Sequence, residues 1–185
     1  MHSRIFIWIV AALWLAVVVY LTVAAAGAKR DASPNLPQRL ALTLAIIAAF
    51  LLPHLPVFGL VNFAPVNPVL SIAGVIVCVA GFALLVAARY RLGDNWSQIV
   101  SVKEGHELVT TGPYRHIRHP MYSGGLIAAL GSAVVVGGPF VFLLLLLTPL
   151  FLWRTGAEDR LMARQFPQEF PAYRARTKRL VPFVW

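Results

Sequence analysis

Charge is scarce in this 185-residue chain. Asp, Glu, Lys and Arg together make up 12% of it, where a soluble domain carries about a quarter. Hydrophobic residues make up 59% and the mean hydropathy is +0.74. Such a chain lacks the polar surface to cover a globule in water, so the class it points to is an integral membrane protein of one domain. Cysteine is also nearly absent. Cys78 alone excludes an internal disulfide and a cysteine metal cluster, and its apolar surroundings describe an inert thiol. No GxGxxG follows a strand and no Walker loop occurs, which excludes the soluble nucleotide-binding folds. Any nucleotide must therefore sit against helices and loops. No serine or cysteine nucleophile stands with a histidine partner and a third group. Internal repeats and low-complexity tails are missing too. Acid is the scarcer sign, with 7 Asp and Glu against 16 Lys and Arg, for a net charge of +9. The basic residues flank apolar runs instead of forming one stripe, which argues against a nucleic-acid partner.

What remains is membrane. A spanning helix needs about 20 mostly apolar residues, and five stretches approach this: Ile5 to Ala26, Leu40 to Val61, Val69 to Ala88, Met121 to Val136 and Phe140 to Trp153. Continuous runs, as opposed to alternation over about 10 residues, predict helices and not a β-barrel. Pro53, His54 and Pro56 kink the far end of the second stretch or place it in the interface. Gly74, Cys78 and Gly81 give the third a narrow face of small residues for close helix packing. Gly137, Gly138 and Pro139 join the last two as a tight hairpin, each arm slightly short of a full span. The first span, with Arg4 ahead of it and Ala24 to Ala26 at its end, also has the outline of a signal peptide, but its apolar run exceeds the usual 7–15 residue core.

Basic residues collect in cytoplasmic loops. Lys29, Arg30 and Arg39 follow span one. Arg89, Arg91, Lys103, Arg115 and Arg118 follow span three. Arg154, Arg160, Arg164, Arg174, Arg176, Lys178 and Arg179 follow span five. The turns at Asn62 to Asn67 and Gly137 to Pro139 hold none. Five spans with the N-terminus outside put all three basic regions in the cytosol. The segment after span three and the C-terminal tail then lie on one side, able to meet.

That segment, His106 to Gly124, is the one polar interruption of the apolar half. Gly112-Pro113 forces a turn. Pro120 suits the first turn of the next helix, where its missing N–H costs nothing. Arg118 and His119 then stand at a helix N-terminus, which favours an anion such as a carboxylate or phosphate; interfacial anchoring to lipid headgroups is the plainer reading. Tyr114 and Tyr122 flank the corner, either as interface tyrosines or as groups that stack on a nucleoside. Gly124 and Gly125 admit a neighbouring backbone. Pro120 disrupts any metal-ligating spacing of His116 and His119, and no metal is expected. In the tail, Leu161, Met162, Phe166, Phe170 and Tyr173 recur at roughly helical spacing between basic residues, and Pro167 and Pro171 break the tail into two short helices. This basic amphipathic run either lies on an anionic membrane surface or closes over the polar segment and walls a site. Glu158 and Asp159 sit beside Arg154 and Arg160, either as local exposed ion pairs or as a carboxylate and an arginine holding a zwitterionic amino-acid moiety.

HELVTTGPYRHIRHPMYSG resembles the signature of the isoprenylcysteine carboxyl methyltransferase family, roughly H-x-L-V-x-x-G-x-Y followed by R-H-P-x-Y. Downstream, Glu158-Asp159, Phe166, Tyr173 and Leu180 to Pro182 are similar to the family's acidic pair, its aromatic run and its closing Leu-Pro. The likeness covers about residues 95 to 182; the N-terminal spans match only as generic helices. Membrane phospholipid N-methyltransferases and some sterol-reductase-like proteins look similar at RHPxY alone. The resemblance implies an all-α polytopic membrane bundle of about five helices, with three N-terminal spans in residues 1–89 and a cofactor-binding catalytic half in 90–185. It implies an S-adenosylmethionine-dependent methyltransferase acting on a carboxylate of a lipophilic, isoprenylcysteine-like acceptor, with membrane lipids as its surroundings. Carried over, His106, Leu108 and Val109 line the cofactor pocket. Tyr114, His119, Pro120 and Tyr122 hold the cofactor. Glu158 takes its ammonium group, and Arg154 is the candidate arginine near the methyl acceptor. Asp159 replaces a second glutamate, Pro167 a glycine and Phe170 a tyrosine. These departures leave the pocket intact and bear on the geometry of the tail.

The implied reaction is an in-line displacement at a sulfonium methyl, which asks for alignment and exclusion of water more than for acid–base work. Methylation of a phospholipid amine is the alternative; it requires a deprotonated amine and so a base such as His119 or Glu158. A non-enzymatic membrane subunit is the alternative from another class. A transporter would place polar residues in mid-span, and these spans have almost none.

Overall fold

The computed structural model describes residues 2–26, 67–93, 96 and 107–181. Within them the chain is helical: α1 His2–Ala26, α2 Pro68–Leu92, a 3-10 turn Gly112–Arg115, α3 Pro120–Val136, α4 Gly138–Gln165 and α5 Phe170–Arg176. Four of the five expected spans are present as helices. The second, Leu40 to Val61, lies outside the described residues. α1, α2 and α4 are each long and apolar enough to cross a membrane, and α3 is a shorter apolar helix. At a rise of 1.5 Å per residue, its 17 residues reach about 26 Å, slightly less than the hydrocarbon thickness.

The helix starts follow the expected chemistry. Asn67 caps α2, its side chain accepting from the Val69 N–H at 2.9 Å ahead of Pro68. Pro120 occupies the first turn of α3, with His119 as the capping residue. Gly137 turns the α3–α4 hairpin at φ 85°, a left-handed value that suits glycine. Two expectations change here. The fifth span is not short: α4 runs 28 residues, through Trp153 to Gln165. The tail is accordingly not two short helices. Its first half is the polar end of α4, because Arg154 to Gln165 contains no proline and the helix carries its one glycine, Gly156. Pro171 lies in the opening turn of α5 and starts it, where no N–H is needed.

α2 and α3 pack almost backbone to backbone. A Cβ added at Gly81 would meet the Gly124 carbonyl oxygen at 2.6 Å, and one at Gly124 would meet the Leu85 nitrogen at 2.7 Å. A Cβ at Gly131 would strike Cys78 and the Gly74 carbonyl oxygen, and one at Gly74 would lie 2.7 Å from Val135. Gly74, Cys78 and Gly81 thus form the expected small-residue face, and Gly124, Ala128 and Gly131 form its counterpart. In lipid the hydrophobic effect does not drive helices together, so close van der Waals contact of this kind must do it. Gly125 differs from Gly124. Its added Cβ would meet only a Phe151 ring carbon at 3.6 Å, so no backbone approaches there.

α1 joins through Trp14. Its indole N–H donates to Ser132 Oγ at 3.0 Å, and its ring meets Phe82 edge-on at 5.0 Å. Arg89, almost fully buried near the end of α2, donates to the Gly93 carbonyl at 2.9 Å and the Ala24 carbonyl at 3.2 Å. One cation thereby serves the carbonyl ends of two helices, where the dipole favours it. It also sits over the Trp96 ring at 4.4 Å.

Replacing Gly131 by leucine will force α2 and α3 apart and destabilise the protein by about 2–3 kcal/mol, the usual cost of overpacking. Gly125→Ala will be close to neutral. Thermal unfolding of the two variants in detergent, followed by tryptophan fluorescence, checks both; equal midpoints would show that the glycine contact does not hold the pair.

Candidate active site

The polar segment and the tail meet at one end of the bundle. Residues 116–119 run beside 177–180 like two parallel strands. Ile117 pairs with Lys178. The Lys178 N–H donates to the His116 carbonyl at 3.1 Å, Arg118 N–H to the Lys178 carbonyl at 2.8 Å, and His119 N–H to the Arg179 carbonyl at 3.1 Å. Ser123 Oγ, one turn into α3, donates to the Leu180 carbonyl. From α5, Tyr173 donates its hydroxyl to the Tyr114 carbonyl at 2.8 Å. Of the two roles open to the tail, the structure thus supports closure over the polar segment.

Between these strands and the polar end of α4 lies a cluster of titratable groups. His119 is 8% exposed. Its Nε2 is 2.8 Å from Asp159 Oδ1, and its Nδ1 is 3.3 Å from Glu158 Oε2. Burial alone would push the imidazole down, but hydrogen bonds and charge from Asp159 and Glu158 outweigh it and hold its pKa above the ordinary 6.5. Tyr122, one turn along α3, donates its hydroxyl to Glu158 Oε1. Arg154, one turn before Glu158 on α4, donates from Nε to the Tyr122 hydroxyl at 2.7 Å and approaches Glu158 Oε1 at 3.4 Å. The Tyr122 ring also packs against Phe151, centroids 4.8 Å apart. Glu158 keeps 25% of its side chain exposed and Arg154 20%, while Asp159 keeps 7%.

Arg118 does not face outward as a headgroup anchor. Its Nε lies 3.5 Å from Asp159 Oδ1, and its Nη1 donates to the carbonyls of Thr177 and Arg174, which closes the end of α5. Arg179 reaches the other oxygen of Asp159 at 3.5 Å. That oxygen, Asp159 Oδ2, and Arg118 Nε are buried without a hydrogen-bond partner. The helix start does attract a carboxylate, as expected, but the carboxylates are the chain's own.

His119, Tyr122, Arg154 and Glu158 therefore form one connected group, with Pro120 buried at the helix start beside them. Tyr114 is buried, and its carbonyl receives Tyr173; burial raises its phenol pKa well above the ordinary value. That phenol makes no hydrogen bond to the cluster. Leu108 and Val109 are half-buried on the irregular segment leading into the turn. His106 lies outside the described residues. In sequence Asp159 stands only as a variant acid; its partners in the fold are Arg118 and Arg179. The signal was present: a buried acid 40 residues from a histidine needs cations, and Arg118 adjoins that histidine.

Removing one member of this buried ion network leaves the others uncompensated. Asp159→Ala will destabilise the protein by about 3 kcal/mol, read as a lowered midpoint of thermal unfolding. The raised His119 pKa gives a sign in pH. The folded state holds the imidazole proton more tightly than the unfolded state, so this stabilisation is complete below about 6.5 and is lost as pH rises through the higher folded value. The midpoint will fall over that alkaline window in the parent protein, and His119→Asn will flatten the fall.

A family model described as "Isoprenylcysteine carboxyl methyltransferase (ICMT) family" matches residues 74–164, from the middle of α2 to the end of α4. The protein-S-isoprenylcysteine O-methyltransferase of Homo sapiens is 31% identical over 119 residues, covering 62% of this chain and 42% of that protein. The enzyme of the same name from Saccharomyces cerevisiae is 26% identical over 143 residues, covering 75% and 59%. The chain thus spans about half the length of the curated relatives it matches. Among solved structures, the eukaryotic intramembrane Ras methyltransferase ICMT superposes with a TM-score of 0.59 at 22% identity, over 83% of this chain and 55% of that one. This likeness concerns the fold, a membrane-embedded helical bundle. The stretch similar to the isoprenylcysteine carboxyl methyltransferase family, residues 74–164, carries the helix start, the glycine contact and the acidic pair.

Proposed function

We propose that this protein is an S-adenosylmethionine-dependent membrane methyltransferase that esterifies the carboxylate of a lipophilic, isoprenylcysteine-like acceptor. The observation that carries this reading is the single connected cluster of His119, Tyr122, Arg154, Glu158 and Asp159, drawn from two blocks of sequence 32 to 40 residues apart. The family likeness and the names of the relatives support it.

The donor set fits such a cofactor. Glu158 is partly exposed and offers an anionic edge to the ammonium group of the cofactor. Tyr122 supplies an aromatic face and fixes the Glu158 carboxylate. His119 orients the acidic pair from beneath, and the tail strand with Leu180 shields the cluster from water. When bound, S-adenosylmethionine supplies an electrophilic methyl carried on a sulfonium. An acceptor carboxylate is already ionised at neutral pH and needs no base; Arg154 is the cation that places it. Leu108, Val109, Tyr114, Pro120 and, from the sequence, His106 complete the pocket wall. We place the polar end in the cytosol and the N-terminus outside, in keeping with the distribution of basic residues, so that donor and lipid tail approach from opposite directions.

Phospholipid N-methylation is disfavoured by one feature. His119, a candidate base, lies between two carboxylates that favour its protonated form, which makes it a poor acceptor for an amine proton.

Calorimetry of the purified full chain with S-adenosylmethionine tests the reading. Glu158→Ala removes a charge-assisted contact worth roughly 1.5–3 kcal/mol and will weaken binding by at least about tenfold; Tyr122→Ala will weaken it similarly. Arg154→Gln will keep most of the cofactor affinity but lose methyl transfer to a farnesylated cysteine. Unchanged affinity in both pocket variants, or no binding by the folded parent, overturns the assignment.

A further inference from the structure

A half-open polar cavity of about 470 Å³ is lined by Thr110, Arg115, His116 and Arg176, three of them exposed to solvent. None of these belongs to the methyl-transfer cluster. Two arginines, a histidine and a threonine line it, and no acidic residue is among the lining residues. Four other arginines of this end of the bundle are committed: Arg118 and Arg179 to Asp159, Arg154 to Glu158, Arg89 to the carbonyls of Gly93 and Ala24. Among the described residues, neither Arg115 nor Arg176 has an acidic partner.

We propose that this cavity is a phosphate-binding site, suited to a lipid headgroup phosphate or to free phosphate. Like charges brought together repel unless an anion joins them, and here both arginines are set in place by the fold. Arg176 lies 5.8 Å over the Tyr173 ring, and Tyr173 is itself tied to the Tyr114 carbonyl. Arg115 closes the 3-10 turn, and the His116 backbone is fixed by the Lys178 N–H. Planar guanidinium forks pair with two oxygens at once, so two of them with two further donors match a group bearing three or four acceptor oxygens better than a carboxylate with two. The depth is also right. Gly112, at the start of this turn, lies beside the Arg91 side chain, which a Cβ added at Gly112 would meet at 3.0 Å, at the polar end of α2 where the apolar span stops. The headgroup layer of a bilayer begins at that level.

The test uses the full chain reconstituted in phosphatidylcholine vesicles, with thermal unfolding as readout. Adding phosphatidylglycerol to the vesicles will raise the midpoint by roughly 4 °C if the source is a headgroup. Adding inorganic phosphate to phosphatidylcholine vesicles will do so if the source is soluble. In either case Arg115→Gln with Arg176→Gln will abolish the rise. Arg160→Gln with Arg164→Gln, which removes the same charge from the exposed end of α4, will preserve it. Thr110→Val provides a variant with intact charge, whose midpoint in phosphatidylcholine alone stays at the parent value while the rise shrinks. No rise with either anion, or equal loss in the two double variants, overturns the proposal.

Discussion

A buried imidazolium between two carboxylates organises the polar end of this protein. His119 stands at the junction of three pieces of chain: it caps α3, its backbone pairs with the tail, and its ring faces the polar end of α4. Asp159 and Glu158 are sequence neighbours and would repel each other in a buried site without a cation between them. Once the ring is in place, helical geometry settles the rest. Tyr122 lies three residues beyond His119 on α3, and Arg154 lies four before Glu158 on α4. Residues three or four apart share a helix face, so all four groups project into one volume. Arg118 and Arg179 neutralise Asp159 from the other side and lock the tail strand to the polar segment.

That cluster needs a scaffold that does not breathe, and the scaffold is made of glycine. The Gly81–Gly124 contact sits one turn into α3, directly behind Pro120 and His119. Close backbone approach there leaves no slack for the helix start to shift relative to α2. Trp14 and Arg89 extend the same rigidity to α1, the first through a hydrogen bond to Ser132 and the second through the Ala24 carbonyl. The membrane part and the polar part are thus mechanically continuous. The small-residue face buried in the bilayer positions a histidine at its edge.

Much of this was legible before any coordinates. Long apolar runs fix helices because lipid leaves no other way to satisfy a backbone, so α1, α2 and α3 start and stop within a few residues of expectation. Pro120 and Gly137 mark their positions by conformational restriction alone. The small-residue face of α2 was visible because glycine at Gly74 and Gly81 has little other use in a helix. The resemblance supplied His119, Tyr122, Arg154 and Glu158 as a set. The extent of α4 was less visible, because composition changes at Arg154 from apolar to charged while helix propensity does not; a membrane boundary and a helix boundary are different things. The tail strand was also hidden. Its pairing with residues 116–119 rests on backbone hydrogen bonds, which any sequence can make, and only the buried partners of Arg118 and Arg179 require it. Gly125 shows the converse error: beside Gly124 it reads as an equal, yet helical rotation turns it to the Phe151 ring instead of the α2 backbone.

The electrostatics of the cluster also bear on the kind of chemistry it can support. An imidazolium held by two carboxylates gives up its proton only at elevated pH, and carboxylates engaged by a phenol and two or more cations are poor bases. A site of this construction is therefore badly equipped to move protons and well equipped to hold charge in fixed positions. Methyl transfer to an ionised carboxylate requires that combination. One positive and one negative centre disappear together as the bond forms, so the protein must align them and exclude water without itself changing protonation state. The same logic explains the division of arginines. Those facing the cluster are each paired with one of its two carboxylates. Arg115 and Arg176, across the junction, remain available to an anion from outside without competing for the carboxylates that hold His119.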